Sequence, residues 1–177
     1  MQKTKKGFTL IELLVVVLII GILSAIALPQ YQKAVTKSRG AQLYTAINGL
    51  GKAVQSYFLA NGSWPEDFDA LDVDFPLPSQ TGTACGLSVG AGKTLKQGKD
   101  YALVIGKSDL WNDLFAVFTQ GPYPCAGFAY IKSEISSGDE LFCVERDQRT
   151  NYAKGGFCTK VMGFTFERNY HGYDYFR

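Results

Sequence analysis

Histidine is nearly absent: His171 is the only one among 177 residues. That scarcity removes the usual base for a serine or cysteine nucleophile and the usual nitrogen ligand of a metal. His171 is expected to be structural, within an aromatic tail. The four cysteines include no close Cys-x-x-Cys pair, which argues against structural zinc. Glu66, Asp67, Asp69, Asp72 and Asp74 cluster, but they fit no EF-hand spacing and alternate with Phe68, Leu71, Val73 and Phe75. They should form a solvated edge with an apolar inner face. Gly92-Lys93-Thr94 ends like a phosphate-binding loop, yet the position for that loop's first glycine is Leu87, and no strong buried strand leads into it. A large net charge is missing too, with 18 basic residues against 16 acidic ones. Setting Lys3, Lys5 and Lys6 aside leaves 15 against 16, so nothing marks a nucleic-acid surface. No catalytic residue, metal or cofactor is expected, and the chain should not be an enzyme.

What the sequence does have is a long apolar run over residues 8–28, enough as a helix to cross a bilayer core of roughly 30 Å. It holds one charge, Glu12. The summed insertion preference of its many Leu, Ile, Val and Phe residues outweighs one carboxylate near a helix end. An ionisable group kept there asks for a partner, and no basic residue lies between Phe8 and Leu28. A cut just before Phe8 would create one, the new α-amine of a neighbouring copy. Two plainer readings compete. Lys3, Lys5 and Lys6 with Ala25-Ile26-Ala27 mimic a secretory signal peptide, but the run is too long and helix continues past that cut. A permanent anchor explains the apolar run and leaves Glu12 unexplained. A mature protein beginning at Phe8, Leu28 or Met1 would separate the three.

After Leu28 the pattern becomes periodic. Tyr31, Ala34, Val35, Ser38, Ala41, Tyr44, Ile47, Leu50, Ala53, Val54, Tyr57 and Phe58 recur at spacings of three and four, which predicts an amphipathic face. Lys33, Lys37, Arg39, Gln42, Asn48, Lys52 and Gln55 take the other side. Pro29 should kink this helix without ending it, and Asn61-Gly62 with Pro65 should stop it. The whole helix reaches about fifty residues, or roughly 75 Å, and must protrude from so small a chain. Gly40, Gly49 and Gly51 either weaken it or mark close contacts with a sheet. Residues 63–99 form a connecting region with short helical or strand pieces. Runs at 101–105, 114–119, 128–132 and 141–145 are β-branched and aromatic and predict an antiparallel sheet, with Gly138-Asp139 as a turn and 163–167 as a last or edge strand. The tail, with Tyr170, Tyr173, Tyr175 and Phe176, should pack at a sheet edge or form a subunit contact. The fold class is α+β: a long N-terminal helix, membrane-spanning then amphipathic, on a sheet of about four strands. Its regions are a leader at 1–7, the apolar helix at 8–28, its continuation at 29–61 and a globular part at 62–177.

Cys85, Cys125, Cys143 and Cys158 are an even set that suggests two disulfides in an oxidising space, with three pairings open. Lysines flank the span on both sides, so the positive-inside rule nearly balances, and the cysteines place the C-terminal part outside the cytoplasm. Asn61-Gly62-Ser63 matches a glycosylation sequon, as short motifs often do by chance.

Gly7-Phe8-Thr9-Leu10-Ile11-Glu12, behind a basic leader and ahead of an apolar helix ending in Pro29-Gln30-Tyr31, resembles the type IV pilin family. The resemblance covers roughly the first sixty residues closely. It implies the type IV pilin fold and a prepilin peptidase cutting after Gly7, with methylation of the new N-terminus at Phe8. It implies Glu12 as the acid that sets subunit register, and Gly21 and Pro29 as places where the helix loosens in a fibre. Its C-terminal loop disulfide implies Cys143 with Cys158, and with it Cys85 with Cys125. The implied partners are further copies in a helical filament, the peptidase and an assembly platform in the inner membrane. The precursor would be a single-pass inner-membrane protein, later part of an extracellular pilus or periplasmic pseudopilus. A minor pilin or a type II secretion pseudopilin shares this N-terminus, though the major pseudopilin in general lacks the disulfide and uses calcium. A monomeric membrane-tethered binding module is the reading from another class.

Overall fold

The computed structural model describes residues 7–88, 94–106, 113–131, 140–146, 153–170 and 172–177. Lys3, Lys5 and Lys6 of the leader, Gly92-Lys93, Gly138-Asp139 and His171 lie outside the described residues. The chain divides into two compact units, Met1–Ser38 and Arg39–Arg177.

One helix, α1 (Leu10–Asn61), belongs to both units and includes Pro29. Pro29 lacks only a donor, and the rest of the hydrogen-bond ladder continues around it. In the first unit the large apolar side chains from Leu10 to Leu28 are all exposed. In the second unit Leu43, Ile47, Leu50 and Val54 are completely buried. Their spacing of four, three and four makes one stripe along the helix. The expected face was set too wide. Tyr31 is 68% exposed, Tyr44 is 45% exposed, and Leu43, absent from the predicted set, lies at the centre. Tyr44 still meets Phe128 edge-on, with ring centroids 5.4 Å apart. Gly40 and Gly51 are packing glycines. A Cβ at Gly40 would meet Met162 Sδ at 2.9 Å and the Phe157 ring at 3.0 Å, while Gly51 lies under the Tyr130 ring. Gly49 faces open space.

A short 3-10 turn (Phe68–Ala70) follows, capped by the Asp67 side chain accepting from Asp69 N–H. Phe68 and Leu71 turn inward and Asp69, Asp72 and Asp74 stay out, although Val73 is exposed as well. Among the described residues ten strands come next: β1 (Ser79–Thr81), β2 (Thr83–Ala84), β3 (Leu87–Ser88), β4 (Thr94–Gln97), β5 (Tyr101–Ile105), β6 (Asp113–Phe118), β7 (Ala126–Ile131), β8 (Glu140–Arg146), β9 (Phe166–Tyr170) and β10 (Tyr173–Phe176). Eight form one antiparallel sheet in the order β1-β4-β5-β6-β7-β8-β10-β9, and β2-β3 is a separate hairpin. The four central strands fall where the apolar runs predict them, but the sheet has twice the expected number. The additions are short and polar at β1 and β4, and at the other end the aromatic tail itself. The segment expected at 163–167 is a strand only from Phe166 onward. Gly163, at φ +90°, caps a π-helical turn (Cys158–Met162).

Both faces of the sheet are buried, which explains why the strand sequences run apolar without alternating. One face carries Leu103, Ile105, Leu114, Ala116, Phe118 and Phe128 against the α1 stripe, Phe157 and Trp64. Residues one position out of phase, including Ala102, Val104, Phe115, Val117, Phe142 and Val144, make a second cluster with Tyr173, Tyr175 and the β2–β3 hairpin. That hairpin turns through Cys85 and Gly86, both at positive φ, the two-residue geometry that matches strand twist. Glycine suits the second position because its φ of +77° is one that other residues rarely adopt.

Gly127 of β7 sits so close to β6 that a Cβ would collide with the Ala116 carbonyl oxygen and lie 2.8 Å from Val117 Cα. Backbone atoms cannot step aside, so Gly127→Ala should cost about 1–3 kcal/mol and lower Tm by several degrees in a thermal melt. Burial pushes the Tyr173 phenol well above its ordinary range, and burial with the Asp113 charge does the same to Tyr175. The unfolded chain therefore releases these protons first. Their stabilising share is complete below about pH 10 and is lost as pH rises beyond it. Melts should hold steady from about pH 8 to 9.5 and fall above 10, with Tyr175→Phe flattening the fall.

Candidate assembly site at the start of the helix

The first helical residue is Leu10, so Thr9 occupies the N-cap and Glu12 the third helical position. Thr9-Leu10-Ile11-Glu12 is the capping-box pattern, and the geometry closes it. Thr9 N–H and Thr9 Oγ1–H each donate to Glu12 Oε2 at 2.7 Å, and Glu12 N–H lies 3.4 Å from Thr9 Oγ1. The carboxylate thereby satisfies one backbone donor left without a helical partner, together with the Thr9 hydroxyl, and stands at the positive end of the helix dipole. Sequence reasoning gave Glu12 no partner inside the run; the structure gives it Thr9. The sequence signal for Thr9 is Thr-x-x-Glu at the head of the apolar run.

Phe8 and Gly7 precede the helix, and the Phe8 ring is 77% exposed. An exposed, non-helical Gly-Phe peptide is accessible to a protease, since cleavage needs extended backbone. Gly21 lies within the helix with open space at its Cβ position, and Pro29 lies eight residues further on. From Leu10 to Leu28 the helix is long and apolar enough to cross a membrane, and nothing within its own unit covers it.

The four cysteines lie in the second unit. Cys85 bonds Cys125 with Cα atoms 5.3 Å apart, and Cys143 bonds Cys158 at 5.8 Å. The first disulfide ties the β2–β3 hairpin to the β6–β7 connection, where Cys125 N–H donates to Phe118 O at 2.8 Å. Tyr173 Oη–H donates to Cys85 O at 2.8 Å, so the tail strand holds the same hairpin. The second disulfide ties β8 to the π-helical turn. Asn61 of the sequon ends α1, its side-chain amide donating to Tyr57 O at 3.0 Å. Among the described residues no three His, Cys, Asp or Glu side chains group as a metal site.

Residues 2–28 match the family model described as the prokaryotic N-terminal methylation motif, and the chain carries the N-terminus of the type IV pilin family. It is 46% identical over 73 residues to the fimbrial protein EcpC of Eikenella corrodens, covering 41% of this chain and 48% of that protein. It is 41% identical over 76 residues to the type IV major pilin protein PilE1 of Neisseria gonorrhoeae, covering 43% and 46%. To the type IV major fimbrial protein FimA of Dichelobacter nodosus it is 38% identical over 103 residues, covering 54% and 64%. The chain thus spans about half the length of the first relatives it matches. No solved structure matches it.

If the capping box holds the first turn, Thr9→Ala in the full chain in detergent micelles should speed amide hydrogen exchange at Glu12 and Leu13, whose N–H groups are directed at Thr9, roughly fivefold, the scale of a lost cap. Unchanged exchange there would show that the turn does not depend on Thr9.

Proposed function

We propose that the chain is a structural subunit of a type IV pilus-like filament. The observation that carries this reading is the uncovered apolar segment of α1 behind the methylation motif, with a single carboxylate at its start. In the precursor that segment sits in the inner membrane as a single span, with the disulfide-bonded unit outside the cytoplasm. A prepilin peptidase cuts after Gly7 and the amine of Phe8 is methylated. An assembly platform then moves the subunit from lipid into the filament, where other copies of the apolar helix replace the lipid. Glu12 sets the register there by meeting the Phe8 amine of an adjacent subunit. A buried carboxylate left without a cation is costly, so mis-registered packing is disfavoured. Gly21 and Pro29 are the points at which the helix loosens as it packs. The subunit does its work by polymerising and catalyses nothing.

The names of the relatives, major pilin and fimbrial proteins, support a pilin over a pseudopilin. The experiment is to shear surface fibres from cells, image them and sequence their subunit by mass spectrometry. Long fibres built of a chain that begins at N-methylated Phe8 are expected. A subunit that keeps residues 1–7 and never enters a fibre overturns the reading. Glu12→Ala should still insert into the membrane but yield at least tenfold fewer fibres, roughly the effect of one unpaired partner in a desolvated ion pair. A wild-type fibre yield would remove Glu12 from the register role.

A further inference from the structure

Glu145 is 1% exposed, on a central strand, and no basic side chain satisfies its carboxylate among the recorded contacts. Instead, three backbone amides converge on it. Gly155 N–H donates to Oε2 at 2.7 Å, and Phe157 and Cys158 N–H donate to Oε1 at 2.7 and 2.6 Å. These amides lie at and just before the start of the π-helical turn, where N–H groups have no helical acceptor. Gly155 can present its N–H because it is a glycine: its φ is +74°, and a Cβ would press on Thr159 Oγ1 at 2.9 Å.

Cys143 lies two residues before Glu145 and therefore on the same side of β8. The amide that Glu145 grips most closely is that of Cys158, the residue bonded to Cys143. Across the sheet Asp174 stands opposite Glu145, and its charge is met separately by Lys154 at 3.1 Å and Asn169 at 2.9 Å. Glu145 is thus left to the loop.

We propose that Glu145 is the positioning residue that selects the Cys143–Cys158 pairing: its carboxylate gathers the 155–158 backbone first and brings the Cys158 thiol to Cys143 before the bond forms. Oxidation then removes two electrons and two protons from the two thiols. A small-molecule disulfide such as oxidised glutathione accepts them and leaves as two thiols. Selection is needed because four cysteines allow three pairings. The inference concerns folding of the second unit and does not depend on filament assembly.

The test uses the reduced full chain in detergent micelles, oxidised with glutathione disulfide and mapped by peptide mass spectrometry. The unaltered chain should give Cys143–Cys158, whereas Glu145→Gln, which places an amide donor against an N–H, should let native pairing fall toward the one in three of unguided oxidation. Native pairing at the unaltered rate in Glu145→Gln overturns the proposal. A second measurement does not depend on how that variant folds. In a chain carrying Cys143→Ala and Cys158→Ala, the amides at positions 155, 157 and 158 should stay protected from hydrogen exchange, and adding Glu145→Gln should remove that protection by tenfold or more. Fast exchange at those amides in the cysteine-free loop, whether or not the sheet survives, means the disulfide shapes the loop and overturns the proposal.

Discussion

The second unit depends on the close fit between the α1 stripe and one face of the sheet. Leu43, Ile47, Leu50 and Val54 each lie at or below 1% exposure, and burying a side chain of that size is worth roughly 1.5–3 kcal/mol. A domain's net stability is only about 5–15 kcal/mol, so opening even one of these four contacts removes a sizeable fraction of it. The fit is possible because Gly40 and Gly51 carry no side chain where Phe157, Met162 and Tyr130 approach. The same helix, thirty residues earlier, has no such partner and is apolar on every side. One element therefore serves two solvents, a protein interior at one end and an apolar surrounding supplied by something other than its own unit at the other.

The carboxylates Glu12 and Glu145 are answered in the same way. Neither relies on a lysine or arginine for its recorded hydrogen bonds. Each accepts from donors that a helical turn leaves unused, Thr9 for one and the 155–158 amides for the other. The difference is exposure. Glu12 stands open and its cap can be exchanged for another donor, whereas Glu145 is sealed and its bonds are exclusive. An exchangeable cap is compatible with the register role proposed for Glu12.

Much of this was legible from residues because their signals are local. The apolar run, the Asn61-Gly62 stop and the β-branched segments of β5 to β8 each depend on neighbours a few positions away. What was not legible depends on distant partners. Leu43 reads as one apolar residue among many, and only the rotation of the helix against the sheet puts it at the centre. The strands β1 and β4 are polar pieces of three and four residues, recruited because β5 offers an open edge. Tyr173, Tyr175 and Phe176 read as packing at a sheet edge or as a subunit contact, whereas β10 lies inside the sheet, paired with β8 on one side and β9 on the other. A glutamate near the end of a strand gives no hint that amides ten to thirteen residues later will seal it in.

The place of β10 in the sheet has a consequence for biosynthesis. Residues 173–176 fill a slot between strands made earlier, and β9 reaches the rest of the sheet only through them. While the chain is still being made, β8 ends in an unfinished edge, and Phe142 and Val144 lack the tyrosines that later cover them. The unit cannot close strand by strand as it emerges. It must wait until residue 176 is available, so the interval between synthesis and closure is when a chaperone or a protease has most access to it.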